Sequence, residues 1–201
     1  MAQQEQQQPV LRLASASPRR RQLLELIGVP HVVLPADIDE TPRIAELPGD
    51  YVVRLAREKA QAVWARQSDL PVLAADTTVV VDEEILGKPE SETQAHEMLG
   101  KLSGREHVVH TGVALIASGT QQVVLSSTLV KFSALSREQI QAYWRSGEPQ
   151  GKAGAYAIQG LGAVFVAGIG GSYTGVMGLP LFETAQLLRA AGIPVWGGAV
   201  V

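Results

Sequence analysis

Three short stretches of this sequence carry side chains whose types and spacing suit chemistry on a polyanion. The first, LASASPRRRQLL at residues 13–24, places Ser15, Ser17 and Pro18 just ahead of Arg19, Arg20 and Arg21. A Ser-Pro step is a helix opening, and the first turn of a helix favours anions and disfavours cations. Three arginines there are electrostatically unfavourable unless an anion sits among them. Free backbone amides and guanidinium forks both match phosphate oxygens, and a solvated basic helix start is the alternative. No Walker loop or G-x-G-x-x-G turn is present. The second stretch, AADTTVVVDEEILGKP at 74–89, ends an apolar run on Asp76. Such an aspartate is presented either as a metal ligand or general base, or as a turn-capping residue. The Gly87-Lys88-Pro89 turn that follows adds a stiffly placed ammonium. In the third, GEPQGKAGAYAIQG at 147–160, Gln159 lies between Ile158 and Gly160. An amide both donates and accepts, so it can read the edge of a nucleobase or be satisfied internally.

These side chains need a frame, and the chain reads as alternating strands and helices. Val10–Ala14 is expected as a buried strand, followed by a helix capped by Ser17, opened by Pro18 and closed by Gly28. A strand at Val32–Leu34 leads into the irregular loop PADIDETPRIAELPGD. Asp50 is expected to cap a long helix running to about Ala65. Its apolar face comprises Val52, Val53, Ala56, Ala60, Val63 and Trp64, with Arg54, Arg57, Glu58 and Lys59 outside it. PVLAAD and TVVVD read as one interrupted strand or two successive ones. Ser91-x-x-Gln94 and Ser136-x-x-Gln139 carry capping-box signatures for two further helices, with β-rich segments between them. Ten of the twenty glycines fall between Gly147 and Gly178, a density suited to close backbone approach. Pro180 opens a last helix ending near Gly192. Residues 1–9 read as a flexible polar tail and 10–201 as one domain.

Composition narrows the chemistry further. With 201 residues, 46% of them hydrophobic, the chain can bury a substantial core. A net charge of −3 argues against a surface built as a nucleic-acid footprint, and interleaved aromatics are lacking. The absence of cysteine excludes thiol catalysis, disulfides and thiolate metal sites, and suits a reducing cytoplasm. No stretch has the roughly 18 charge-free apolar residues of a spanning helix. His31, His96, His107 and His110 lack metal-ligand spacing. Trp64, Trp144 and Trp196 read as packing residues, and no serine has an evident His/Asp partner.

Taken together, the motifs are more specific than any one alone. Leu13-Ala14-Ser15-Ala16-Ser17-Pro18-Arg19-Arg20, Ala75-Asp76-Thr77, Gly87-Lys88-Pro89, Ser103-Gly104, His110-Thr111-Gly112, Gly147-Glu148-Pro149 with Lys152-Ala153-Gly154, Ile158-Gln159-Gly160 and Gly178-Leu179-Pro180 occur in order over residues 11–182. This series resembles the Maf family of nucleoside triphosphate pyrophosphatases. The resemblance implies an α/β fold with a two-lobed mixed sheet, flanking helices and a central cleft, similar to inosine triphosphatases. It also implies a nucleoside triphosphate substrate, a divalent cation (Mg²⁺ or Mn²⁺), a cytoplasmic location and a homodimer.

By the same resemblance, Ser15, Arg19, Arg20, Lys59 and Lys88 bind phosphate, Glu40 and Asp76 hold the metal, and Asp76 also accepts a proton. Two family branches, one cleaving dTTP and UTP and one preferring 7-methyl-GTP, differ at the positions of Arg19, Thr77 and Gln159. All three residues fall on the pyrimidine side here. A uracil or thymine edge pairs an acceptor with a donor, as the Gln159 amide does, whereas guanine's two donors would want a carboxylate. A nucleotide-binding regulator of septum formation is the non-catalytic alternative that the resemblance leaves.

Overall fold

The computed structural model describes residues 8–198. Most of the expected polar tail, residues 1–7, therefore lies outside the described residues, as do residues 199–201. Within them the chain forms a seven-stranded mixed sheet flanked by helices. In chain order the elements are β1 (Leu11–Leu13), α1 (Pro18–Leu26), β2 (His31–Val33), α2 (Pro48–Arg66), β3 (Val72–Val81), β4 (Glu84–Leu86) and α3 (Glu92–Leu102). Then come β5 (Glu106–Ala117), β6 (Thr120–Phe132), α4 (Arg137–Arg145), β7 (Val166–Gly170), α5 (Tyr173–Val176) and α6 (Leu181–Ala190). The main strand order is β2-β1-β3-β5-β6-β7, with β4 also on β3. β2, β1 and β3 are parallel, whereas β3, β5, β6 and β7 form an antiparallel run.

Residues of β3 alternate between the two faces of the sheet. Val72 and Ala74 pack on the face covered by α2, with Ala56, Ala60 and Val63. Leu73 and Ala75 pack on the other face with Leu23 and Leu24 of α1 and Leu187 and Leu188 of α6. Farther along that second face, Val79 and Val81 join Ala95, Leu99 and Leu102 of α3 and Ile140 and Tyr143 of α4. These two clusters on one face are the cores of two lobes.

Local chemistry departs from expectation in three places. α2 starts at Pro48, not Asp50: proline's fixed φ and missing N–H suit the first helical position, and Asp50 instead puts negative charge in the first turn. Lys59 belongs to the buried stripe Val52, Leu55, Ala56, Lys59, Ala60, Val63, not to the outer face, and is only 8% exposed. β3 is one uninterrupted strand through Asp76, Thr77 and Thr78. The interruption lies in its neighbour. β5 pairs β3 from Val72 to Val80, but on the opposite edge β1 covers only Val72–Leu73 and β4 only Val79–Val81. The stretch around Asp76 thus has a strand on one side alone, and a cleft opens on the other.

The remaining aromatic and histidine expectations divide. Trp64 and Trp144 are partly buried against the core, while Trp196 is half exposed with the Arg189 guanidinium 5.2 Å from its ring centroid. His107 is a strand residue but lies in the core, edge-on to Phe132 and Tyr156, with Nε2 2.9 Å from the Tyr156 hydroxyl.

Candidate active site

The cleft between the lobes has a volume of about 760 Å³. Ser15, Arg19, Arg20, Glu40, Lys59, Asp76, Thr77 and Lys88 all line it; Gln159 does not, and stands behind Arg19.

Because side chains alternate along β3, Asp76 points to the α2 face and Thr77 to the α1 face. Opposite Asp76 in register is Gly112 of β5. A Cβ there would come within 2.5 Å of the Val52 carbonyl oxygen, so only glycine lets α2 lie this close to the sheet. That proximity brings the Lys59 ammonium 2.6 Å from Asp76 Oδ1. The same ammonium is 2.7 Å from Glu40 Oε1, so one buried cation joins the two candidate metal-holding carboxylates. Asp76 is 7% exposed, and its Oδ2 has no protein hydrogen bond among the described residues. Burial pushes the Glu40 carboxyl up. The Lys59 hydrogen bond and charge, with Lys88 and Arg20 beyond, overcome this and hold Glu40 below its ordinary pKa.

Glu40 comes from the irregular loop before α2, and that loop is tied down by α2 itself. Tyr51 donates its hydroxyl to the Glu40 carbonyl at 2.9 Å. Arg54 makes a forked pair with Glu46, Nε to Oε1 at 2.5 Å and Nη2 to Oε2 at 2.7 Å, and also reaches the Thr41 carbonyl. Bidentate arginine–carboxylate pairs are among the stronger charge-assisted contacts. Here one sets the position of a carboxylate six residues away.

The three arginines of α1 divide. Arg21 faces solvent in an i,i+4 pair with Glu25 and takes the plain solvated role. Arg20 is partly buried in the cleft wall. It donates to the Gly178 carbonyl (2.8 Å), Ser15 Oγ (3.1 Å) and Thr77 Oγ1 (3.2 Å). Burial lowers its pKa while Asp76 and Glu40 raise it; a guanidinium in this setting stays charged. Arg19 is half-buried. With the Gln159 amide oxygen turned toward it, that oxygen accepts from Arg19 Nη2 at 3.0 Å and from Nε. The Gln159 acceptor is therefore engaged by Arg19, and its NH₂ group has no hydrogen-bond partner among the described residues.

The loop bearing Gln159 is clamped on both sides. Glu148 accepts from Tyr143 Oη at 2.8 Å and from the backbone N–H groups of Leu161 and Gly162 at 3.0 and 2.9 Å. The same Tyr143 hydroxyl accepts from Ala157 N–H at 3.0 Å. Across the cleft, Gly154 N–H bonds the Gly87 carbonyl at 3.0 Å, steadying the turn that carries Lys88.

Among the cleft-lining residues, Tyr51 and Tyr156 were not singled out from the sequence, and Lys152 stood there only within a motif, with no role given to it. Lys152 has its pKa lowered by burial and then by Arg19 and Lys88, against an opposing contribution from Glu148, a sign of cations crowded together. The Lys152-Ala153-Gly154 motif was the available signal for a role there. Tyr51 left none, since a helix tyrosine three residues before an arginine is unremarkable.

The site's electrostatics are those of a polyanion receptor. Arg19, Arg20, Lys88 and Lys152 face a common space, while Lys59 is balanced by two carboxylates. Among the described residues no three His, Cys, Asp or Glu side chains converge on one point.

Comparison with known proteins agrees with this picture. A family model described as Maf-like protein matches residues 10–191. A dTTP/UTP pyrophosphatase of Methylobacillus flagellatus is 59% identical over 187 residues, covering 92% of this chain and 94% of that protein. A protein of the same description from Nitrosomonas europaea is 53% identical over 197 residues, covering 92% and 95%. Among solved structures, the Staphylococcus aureus Ham1 protein shares the fold at TM-score 0.51 and 12% identity, covering 90% of this chain and 96% of that one.

Proposed function

This chain belongs to the Maf family, and from that premise we propose that it hydrolyses dTTP and UTP to the nucleoside monophosphate and pyrophosphate. The observation that carries the reading is the meeting, at the one-sided stretch of β3, of a cation-rich wall with the Asp76–Lys59–Glu40 triad. The wall can take the triphosphate, and the triad can present water to it. Relatives at 53–59% identity described as dTTP/UTP pyrophosphatases support the same reaction and substrates.

In this mechanism Arg20, Ser15, Lys88 and Lys152 bind the phosphates and Arg19 sits toward the base with Gln159. Lys59 engages Asp76 Oδ1, which leaves Oδ2 to orient a water and take its proton. The water oxygen attacks the α-phosphorus, the bond from that phosphorus to the bridging oxygen breaks, and pyrophosphate leaves. Cationic side chains near the leaving group stabilise the charge that develops there.

The donor set fits a divalent cation, Mg²⁺ or Mn²⁺. Mg²⁺ is usually held by one or two carboxylates together with substrate phosphates and waters, not by an all-protein cage. Glu40 and Asp76 are the two carboxylates, and they already share a cation in Lys59. When bound, such an ion offsets phosphate charge. A homodimer and a cytoplasmic location belong to the same reading; no helix among the described residues is long and apolar enough to cross a membrane.

Gln159 presents its free NH₂ to a pyrimidine carbonyl in this reading, with Arg19 fixing the amide's orientation. The test is incubation of purified protein with Mg²⁺ and a panel of nucleoside triphosphates that includes 7-methyl-GTP, with nucleotide products separated and pyrophosphate assayed. Monophosphate plus pyrophosphate from dTTP and UTP is expected. Preferential cleavage of 7-methyl-GTP would discard the base assignment, and no cleavage of any nucleotide would discard the enzyme.

A further inference from the structure

Arg20 differs from Lys59, the buried cation of the cleft. Lys59 contacts two carboxylates, whereas all three acceptors of Arg20 are neutral: a backbone carbonyl and two hydroxyls. A cation held in a partly buried wall by neutral groups alone is costly unless an anion arrives. The neutral acceptors hold the guanidinium in place without cancelling that charge.

Counting hydrogens fixes the direction of the network. Thr111 Oγ1 lies 2.8 Å from the Gly175 carbonyl, which can only accept, so the Thr111 hydrogen goes there. The 2.9 Å contact between Thr77 Oγ1 and Thr111 Oγ1 must then use the Thr77 hydrogen. Thr77 in turn accepts from Arg20 Nη2, which can only donate. The result is a one-way chain, Arg20 to Thr77 to Thr111 to Gly175, and such chains strengthen by mutual polarisation. Thr77 and Thr111 are direct register partners on β3 and β5, and Thr111 is fully buried. Ser15 completes the arrangement: its Oγ accepts from Arg20 Nη1 and from Ser17 N–H, leaving its own hydrogen to point elsewhere. Arg20 retains one unassigned N–H on each terminal nitrogen.

We propose that Thr77 and Thr111 are positioning residues that aim Arg20 at the substrate's polyphosphate and keep its charge uncancelled. Thr77 thus influences the reaction through Arg20 and the phosphates, not by touching the base, although its position is one at which the family's branches differ. The proposal rests on the reading above only in taking a polyphosphate as the anion.

The experiment is titration calorimetry of the full chain with inorganic tripolyphosphate, which has no base, in Mg²⁺ buffer. Thr77→Val is expected to weaken binding about tenfold or more, as loss of a charge-assisted hydrogen bond does, and Thr111→Val less, about threefold. Thr77→Ser and Thr111→Ser, which keep the hydroxyls, are expected within about twofold of the parent. In an Arg20→Lys background, Thr77→Val should change affinity by less than about twofold, because the group it positions is gone. Melting curves establish that each variant folds; where a valine variant does not, the alanine variant carries the same expectation. Undiminished tripolyphosphate affinity in Thr77→Val would overturn the proposal. So would equal losses in both backgrounds, equal losses in the serine variants, or no tripolyphosphate binding by the parent. A parent that shows the expected pattern but cleaves neither dTTP nor UTP would refute the proposed reaction and leave the Arg20 assignment standing.

Discussion

At the residue scale, the decisive features are shared partners. Lys59 is the point where Asp76 and Glu40 meet, so a change in either carboxylate is felt by the other through one ammonium. In the proposed mechanism Asp76→Asn removes the proton acceptor, and it leaves Lys59 paired with Glu40 alone. Turnover on dTTP should fall at least about a hundredfold with the melting temperature little changed, because an amide fills the same volume. Steady-state kinetics beside a melting curve checks both halves of that statement. Gln159→Glu acts on the other end of the cleft. A carboxylate next to Arg19 would form an ion pair, and the NH₂ group free for a pyrimidine carbonyl would be lost. Loss of one such donor corresponds to about a 5- to 150-fold drop in kcat/KM for dTTP and UTP. An unchanged ratio of dTTP and UTP to 7-methyl-GTP would remove Gln159 from base recognition.

At the element scale, the loop before α2 illustrates how an irregular segment is made to hold one residue in place. It brings Glu40 to Lys59, and it is fastened by Glu46 to Arg54 and by the Glu40 carbonyl to Tyr51. The hydrogen bond from Arg54 holds the Glu46 carboxyl well below its ordinary pKa of 4.5, at about 2, against burial, which pushes it up. A carboxyl depressed in the folded state contributes stability that is present above its unfolded pKa and lost as pH falls through the folded value. The fastening is therefore expected to hold above about pH 4.5 and to weaken progressively toward about pH 2. Amide protection in residues 39–47, measured against the intrinsic exchange rate at each pH, should fall across that window. Glu46→Gln should show faster exchange already at neutral pH, with most of the acid dependence of these amides gone. Exchange in Glu46→Gln matching the parent at neutral pH would mean that the forked pair is not what holds the loop.

At the scale of the whole molecule, the cleft is a gap in strand pairing. β3 and its neighbour β5 run unbroken from one lobe to the other, whereas β1 and β4 partner only the two ends of β3's other edge, and the site sits where neither of these reaches. Stability of the lobe built on α3 and α4 depends on His107, which is wedged between Phe132 and Tyr156. Burial lowers its pKa from 6.5 to about 4. Between those values the unfolded chain binds a proton that the folded chain does not, so stability is lost as pH falls from about 6.5 to about 4. A shift of that size corresponds to about 3 kcal/mol across the window. His110, also lowered by burial, acts in the same direction. Thermal denaturation of His107→Gln, which keeps a polar group for the Tyr156 hydroxyl, should show a smaller fall in melting temperature between pH 7 and pH 4.5 than the parent. An identical fall would place the acid sensitivity elsewhere.

The amino-acid sequence by itself determined the helix openings at Pro18, Ser91 and Ser136, the alternating strands, and the short motifs around Arg20, Asp76, Lys88 and Gln159. Each depends on a handful of adjacent residues whose backbone preferences act locally. Periodicity misassigned Lys59, because a lysine in an apolar stripe is stable only if distant carboxylates meet it, and Glu40 and Asp76 are 19 and 17 residues away. It expected a break in β3 where the break belongs to β3's neighbours, since pairing partners come from other parts of the chain. The sorting of Arg19, Arg20 and Arg21 into a Gln159-bound, a cleft-wall and a solvent-facing position was likewise decided only in three dimensions. Consecutive helical residues point about 100° apart, and what each one meets depends on Gln159, on Thr77 with Gly178, and on open water.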